Sequence, residues 1–230
     1  DSKSLRDKKR LASHIVSLTK SGIRDFFEMV NSMGDVISLG IGEPDFVTPW
    51  HIREHTIFGI EKGHTSYTSN LGLLSLRKEI SRYVSKNYHV DYDPVKECII
   101  TVGVSEALDL ILRAIINPGD EIIYHEPCYV SYRSEIIMAH GVPIVIPASP
   151  ENNFMPLPEN IEKAISPKTK AIMLNFPCNP TGASLDLSSI SKIAKLAKKH
   201  DLIVITDEIY SELTYDGEHR TIASLPGMKE

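Results

Sequence analysis

An α/β fold built on a doubly wound, mostly parallel sheet is predicted by three features of the sequence. Apolar runs of strand length recur at Cys98–Val102, Glu121–Tyr124, Val142–Ile146, Ala171–Asn175 and Leu202–Thr206. Segments with helical spacing separate them, at Ser105–Ile116, Tyr129–His140, Pro158–Ile165 and Asp186–His200. The run Leu202–Ile205 is apolar without alternation, which suits a strand covered on both faces. Strand–helix alternation of this kind connects parallel strands through crossover helices. The 230 residues, 42% of them hydrophobic, are enough to bury a substantial core.

Residues 1 to about 35 read as a helical arm, with Ile15, Leu18, Ile23, Phe26, Phe27 and Val30 on an approximate apolar face broken at Ser21-Gly22. Val36–Leu39 follows as a short strand and leads into Gly40-Ile41-Gly42 and the turn Glu43-Pro44-Asp45. Gly42 has no Cβ, so a ligand can approach its backbone closely; a plain turn glycine accounts for it equally well. Pro49 opens a helix through Trp50, Ile52 and Ile57. Lys62–Asn70 is loop chemistry, and a tyrosine such as Tyr67 in it is most simply surface packing. Leu76, Ile80, Tyr83 and Val84 share one face of the next helix, with Arg77, Lys78 and Lys86 expected to point outward. In the last helix Ile190, Ile193, Ala194 and Ala197 face inward and Lys192, Lys195, Lys198 and Lys199 outward. That lysine run is a solvated face, favourably placed near a helix C-terminus. No internal repeat or low-complexity linker is visible.

The net charge of −5 comes from interspersed acids and bases, which argues against a nucleic-acid or membrane surface. No apolar run approaches the ~20 residues of a membrane span, and the basic Asp1–Arg10 stretch lacks the apolar segment of a secretory signal. Three scattered cysteines, Cys98, Cys128 and Cys178, suit free thiols in a reducing cytosol, so a cytoplasmic location is expected. His125-Glu126-Pro127-Cys128 has a faint look of metal ligation but no partner pair elsewhere. No metal is expected, and Cys128 and Cys178 read as small-residue packing.

The chemistry concentrates just after the strands. Asp207 follows the buried run Leu202–Thr206, at the carboxyl rim where open α/β sheets bind ligands. Taken alone it could equally cap the next turn. A second rim motif, Asn175-Phe-Pro-Cys-Asn-Pro-Thr-Gly182, ends the run Ala171–Leu174. Gly103-Val104-Ser105 joins a strand to a helix N-terminus, where free N–H groups and the helix dipole hold a phosphate. An ordinary βα turn with Ser105 as N-cap is the plainer reading of those three residues. Tyr129 is placed to lie on a flat heteroaromatic ring or to pack in the core. Neither G-x-G-x-x-G nor G-x-x-x-x-G-K-[ST] occurs, against a dinucleotide or P-loop site.

With Ser38-Leu-Gly-Ile-Gly-Glu-Pro-Asp-Phe46, Tyr67, Gly103-Val-Ser-Glu106 and Pro127-Cys-Tyr129, these motifs resemble the class I/II aminotransferases, fold-type I enzymes that use pyridoxal 5'-phosphate. The likeness runs from about Val36 onward, with several motifs in the family's order. It implies an N-terminal arm and small-domain segment over residues 1–48 and a large cofactor domain over 49–230. It also implies amino-group transfer between an amino acid and a 2-oxo acid by a homodimer. The cofactor phosphate would meet Gly103, Val104 and Ser105, with Tyr67 reaching it from the other subunit. Tyr129 would lie against the ring, Asn179 and Tyr210 would donate to its phenolic oxygen, and Asp207 would hold the proton on the ring nitrogen. The substrate would meet Gly42, Tyr129 and Asn179. The family's Schiff-base lysine is expected beyond Glu230; within the chain only Lys229 lies near its position, and that residue reads as an exposed loop lysine beyond Pro226-Gly227-Met228. The chain alone is therefore expected to be inactive, with a sheet lacking its next strand. Glu126–Pro127 and Asn179–Pro180 are expected to be cis, by likeness to the family. A carbon–sulfur lyase on the same scaffold and a non-catalytic ligand-sensing module are the alternative functions; a nicotinamide dehydrogenase is weaker for want of its glycine fingerprint.

Overall fold

A computed structural model describes residues 10–18, 29–30, 33, 37, 42 and 44–229. The chain divides into two compact units, Thr19–Leu73 and Asp1–Leu18 with Leu74–Glu230. Most of the expected arm, all but Ile37 of the strand expected at Val36–Leu39 and part of the Ser38–Phe46 motif lie outside the described residues. Within the first unit, helix α2 (Trp50–Glu61) starts directly after Pro49, and none of its residues is buried.

The larger unit opens with a single helical turn, α1 (Ser13–Val16), followed after residue 73 by α3 (Leu74–Tyr88) and α4 (Gly103–Ile115). The alternation then becomes regular: β1 (Glu121–Glu126), α5 (Ser131–Met138), β2 (Val142–Pro147), α6 (Pro158–Ala164), β3 (Thr169–Asn175), α7 (Leu187–Lys199) and β4 (Ile203–Asp207). The four strands form one sheet in the order β2-β1-β3-β4, and every pairing is parallel.

Side chains alternate across this sheet with period two, and both faces are covered. Ile122 and Tyr124 of β1, Ala171 and Met173 of β3 and Ile205 of β4 point to one face, packing with Leu108 and Leu112 of α4 and Tyr132 and Ile136 of α5. Ile123, Ile172 and Leu174 point to the other, against Ile161 of α6 and Ile190, Ile193 and Ala194 of α7. This two-sided burial explains why the strand runs look uniformly apolar. Helix α7 follows its expected pattern, with Ile190, Ile193, Ala194 and Ala197 buried and Leu196 joining them. Its Asp186 cap accepts the Ser189 N–H at 2.6 Å, and Lys199 reaches Glu162 of α6 at 2.8 Å.

Two expectations are corrected. Cys98–Val102 is not a strand: a strand needs a neighbour to complete its ladder, none lies beside it among the described residues, and Ile99 and Val102 are 50% and 89% exposed. Arg77 does not face outward. It is 5% exposed and donates through Nη1 to the carbonyls of Pro94 at 2.7 Å and Val95 at 3.2 Å, tying α3 to the following loop. Charge-assisted bonds to two carbonyls offset the desolvation of that guanidinium, while Leu76, Ile80 and Tyr83, expected to form the inner face, stay substantially exposed. Among the described residues no helix is long and apolar enough to cross a membrane.

Candidate functional site

The parallel register sets Asn175 directly beside Asp207, at the carboxyl ends of the two adjacent strands β3 and β4. Both are buried, at 1% and 8% exposure. Asn175 links three segments through its side chain and its backbone N–H. Its Nδ2 donates to the Asp207 carbonyl at 3.1 Å, its Oδ1 accepts the Asn179 N–H at 3.0 Å, and its own N–H donates to His125 Nε2 at 3.4 Å. The Asp207 carboxylate accepts the Tyr132 hydroxyl at 2.6 Å on Oδ2 and the Ile209 N–H at 3.2 Å on Oδ1. Peptide bonds Glu126–Pro127 and Asn179–Pro180 are cis as expected, and Phe176–Pro177 is cis as well.

On the facing side α4 starts at Gly103, whose φ of +75° favours a residue without Cβ; a Cβ built there meets nothing within 4 Å. Val102, at the N-cap position, makes no side-chain cap, and its N–H donates to the Glu106 carboxylate. Ser105 is thus the third residue of the helix rather than its cap. The first-turn N–H groups of α4 are left without a side-chain acceptor, the condition under which a helix N-terminus attracts an anion.

These elements enclose one cavity of ≈ 230 Å³, lined by Gly103, Val104, Ser105, Tyr129, Tyr132, Asn175, Asn179, Asp207, Ile209 and Tyr210. Seven of these were singled out from sequence. Tyr132, Asn175 and Ile209 were not, although Tyr132 lies three residues after Tyr129 and its ring meets that of Tyr129 edge-on at 5.7 Å. Asn175 opens the rim motif, and its strand-end position opposite Asp207 was the available signal. Gly42 and Tyr67 belong to the other unit, and Tyr67 is fully exposed. A roomier cavity of ≈ 620 Å³ adjoins Tyr129 and carries Arg133 and Glu126, the end of β1, but it reaches neither Asn175 nor Asp207.

Burial shapes the titration of the surroundings. It lowers the His125 imidazole to about 4, with the ring 2% exposed and stacked on Phe176 at 4.7 Å. It raises the Cys128 thiol to about 12, helped by Glu126 and Cys178. A thiol that holds its proton so firmly is a poor nucleophile, in keeping with a packing role. Burial and the bond to Asp207 also raise the Tyr132 hydroxyl above its ordinary value, so it acts as a donor to that carboxylate. Among the described residues no lysine lines the cavity. Lys229 instead pairs with Glu97 at 3.4 Å and lies over the Tyr92 ring. No group of three or more metal-ligating side chains occurs among the described residues.

Fold and site together define an open parallel α/β protein whose sheet rim offers an uncapped helix N-terminus facing a buried strand-end carboxylate. Residues 34–230 match the family described as aminotransferase class I and II, and the chain belongs to it. The Bacillus subtilis protein YugH is 50% identical over 220 residues, covering 96% of this chain and 57% of that protein. An aspartate aminotransferase of Pyrococcus abyssi is 43% identical, covering 91% of this chain and 54% of that one. The crystal structure of an aromatic aminotransferase from Pyrococcus horikoshii superposes with a TM-score of 0.83 at 41% identity, covering 90% of this chain and 55% of that one. The chain thus spans little more than half the length of the proteins it matches. It has the fold-type I architecture, in a family that works with pyridoxal 5'-phosphate.

The residues present fit that cofactor. Its phosphate calls for N–H donors where backbone can approach, as with Val104 and Ser105 behind Gly103, whose own N–H is held by the Thr101 carbonyl at 2.9 Å; its ring nitrogen calls for a buried carboxylate held in place, as Asp207 is.

Proposed function

We propose that this chain forms the cofactor-binding part of an enzyme that transfers amino groups between an amino acid and a 2-oxo acid. One observation carries the reading: a single cavity gathers the α4 N-terminus, Tyr129, Asn179, Tyr210 and the buried, hydrogen-bonded Asp207. Bound there, pyridoxal 5'-phosphate supplies the electron-withdrawing ring that makes the amino-bearing carbon of an amino acid acidic. The chain's own residues do the holding. The N–H groups of Val104 and Ser105, with the Ser105 hydroxyl, bind the phosphate, and Tyr129 lies on the ring. Asn179 and Tyr210 donate to the phenolic oxygen, and Asp207 keeps the proton on the ring nitrogen. Tyr132 and Asn175 position Asp207 through the bonds described above.

Gly42 and Tyr67 are assigned to the substrate and to the cofactor phosphate of a second subunit, on the family likeness alone. Residues 49–230 are assigned to the cofactor domain and 1–48 to the arm and small-domain segment on the same ground. The setting is a cytoplasmic homodimer. The matched proteins are named for aspartate and for aromatic amino acids, so the class of amino donor stays at amino acids in general.

Asp207→Asn in the full-length polypeptide is the decisive test. Cofactor should still bind, while turnover should fall by tenfold or more, each tenfold being about 1.4 kcal/mol of barrier. Turnover like that of the wild type would sink the assignment. The 230-residue chain by itself should give no borohydride-trapped adduct at one particular lysine and no transamination; measurable activity in it would mean that the nucleophile lies within these residues.

A further inference from the structure

Glu135 is an acid with no evident reason to be where it is. It lies on α5 one turn beyond Tyr132, on the same buried face as Tyr132 and Ile136, and is 6% exposed. Its Oε2 is buried and has no hydrogen-bond partner. An unpartnered oxygen inside a protein is costly, and an unpaired charge there costs more. No cation offsets it among the described residues. From α4 it is faced by Asp109, whose Oδ1 is already taken by Arg113 Nε at 2.8 Å. From β4 it is faced by Asp207. Strand β2, which also packs on α5, carries no titratable side chain. Helix α1 brings only His14, whose ring meets His140 beyond the end of α5 at 4.4 Å. Arg133, on α5 itself, bears on Tyr124.

We propose that Glu135 is a positioning residue that sets the charge behind Asp207: as a neutral acid it adds no charge next to that carboxylate, and on losing its proton it adds a further anion, so that the grip on a protonated ring nitrogen is coupled to pH. This rests on the cofactor reading given above. Glu135 lies one turn from Tyr132 on the same buried face, and the Tyr132 hydroxyl is bonded to Asp207, so a charge on Glu135 is felt behind that carboxylate. Burial, then Asp109, then Asp207 raise the Glu135 carboxyl to about 7, so the change falls where cells operate. Linkage then requires reciprocity. A cation held by Asp207 stabilises the ionised form of Glu135, and binding expels its proton. Proton loss from Glu135 must in turn tighten binding.

The test uses the full-length polypeptide and pyridoxamine 5'-phosphate, which needs no lysine to bind. The carboxyl carbon of Glu135, observed by carbon-13 NMR of selectively labelled protein, should titrate above pH 6 without ligand and at a lower pH with it. Calorimetry in buffers of different ionisation enthalpy should show more protons released on binding by wild type than by Glu135→Gln near pH 7. Affinities of the two should agree at pH 5.5 and differ several-fold at pH 8.5, with wild type tighter. A packing role alone would move none of these differences. Glu135→Met serves should the glutamine variant not fold, and the NMR titration needs no variant at all. A Glu135 that titrates in the ordinary carboxylate range, or near 7 but unmoved by ligand, would overturn the inference. Absence of any binding would overturn the cofactor reading and this inference with it, whereas binding with equal proton release in both proteins would overturn this inference alone.

Discussion

At the scale of single residues, Asp207 depends on neighbours that hold it in one orientation. Its two oxygens are engaged from different sides, by Tyr132 and by the Ile209 N–H. Its carbonyl is engaged by Asn175. A buried carboxylate oxygen that loses its donor costs about 1–3 kcal/mol. Tyr132→Phe keeps the ring against Tyr129 and removes only the hydroxyl, so it isolates that term. The variant should lose about 1–3 kcal/mol of stability in denaturant titration. In the full-length polypeptide it should lower turnover while leaving phosphate affinity at α4 unchanged. An unaltered denaturation midpoint would show that the 2.6 Å contact contributes nothing.

At the scale of elements, the start of α4 shows how a local conformation prepares a site. Gly103 adopts φ +75° with open space where a Cβ would stand. Gly103→Ala therefore meets no clash and pays only for the backbone, roughly 1 kcal/mol or somewhat more. The added methyl also occupies the approach to the first-turn N–H groups. Inorganic phosphate, followed by its protection of the protein against heat, should bind wild type and fail to protect this variant; equal protection would remove the helix N-terminus from the site. The elements themselves were legible to different degrees. Strands β1 to β4 and helices α4 to α7 stood out because each strand is covered on both faces and each helix has a polar outer face. Cys98–Val102 has the same composition without a neighbouring strand among the described residues, and composition alone cannot supply one. Arg77 misled because charge patterning treats arginine as solvent-seeking, whereas its partners are loop carbonyls 17 and 18 residues away. Of the site, the residues that would touch a cofactor were legible through their motifs. Tyr132 meets the Asp207 side chain and Asn175 its backbone, and such contacts become visible only once the strands and helices are placed.

At the scale of the whole molecule, two buried groups on either side of the site oppose one another as pH changes. Glu135 holds its proton to about 7 in the folded protein, against 4.5 ordinarily. The unfolded chain therefore gives up that proton first, and stability falls as pH rises from 4.5 to 7 and is level above. His125 takes a proton only near 4 when folded, against 6.5 ordinarily. The unfolded chain takes it first, and stability falls as pH drops from 6.5 to 4. Each effect amounts to about 3 kcal/mol at its full extent. Between pH 4.5 and 6.5 the unfolded state has one proton more at the histidine and one fewer at the glutamate, so the two slopes cancel. Single substitutions should break this balance in opposite senses. Relative to wild type, Glu135→Gln should gain stability steadily as pH rises through this window, reaching about 3 kcal/mol above pH 7. His125→Gln should gain relative stability as pH falls, apart from a constant loss of the Phe176 stacking. The double variant should run parallel to wild type between pH 4.5 and 6.5, offset but not tilted, although each single variant departs from it. Urea denaturation at four pH values from 4.5 to 8 measures all four proteins. A Glu135→Gln curve parallel to wild type throughout would mean that Glu135 is ionised in the fold at no cost, and with that the balance described here would be absent.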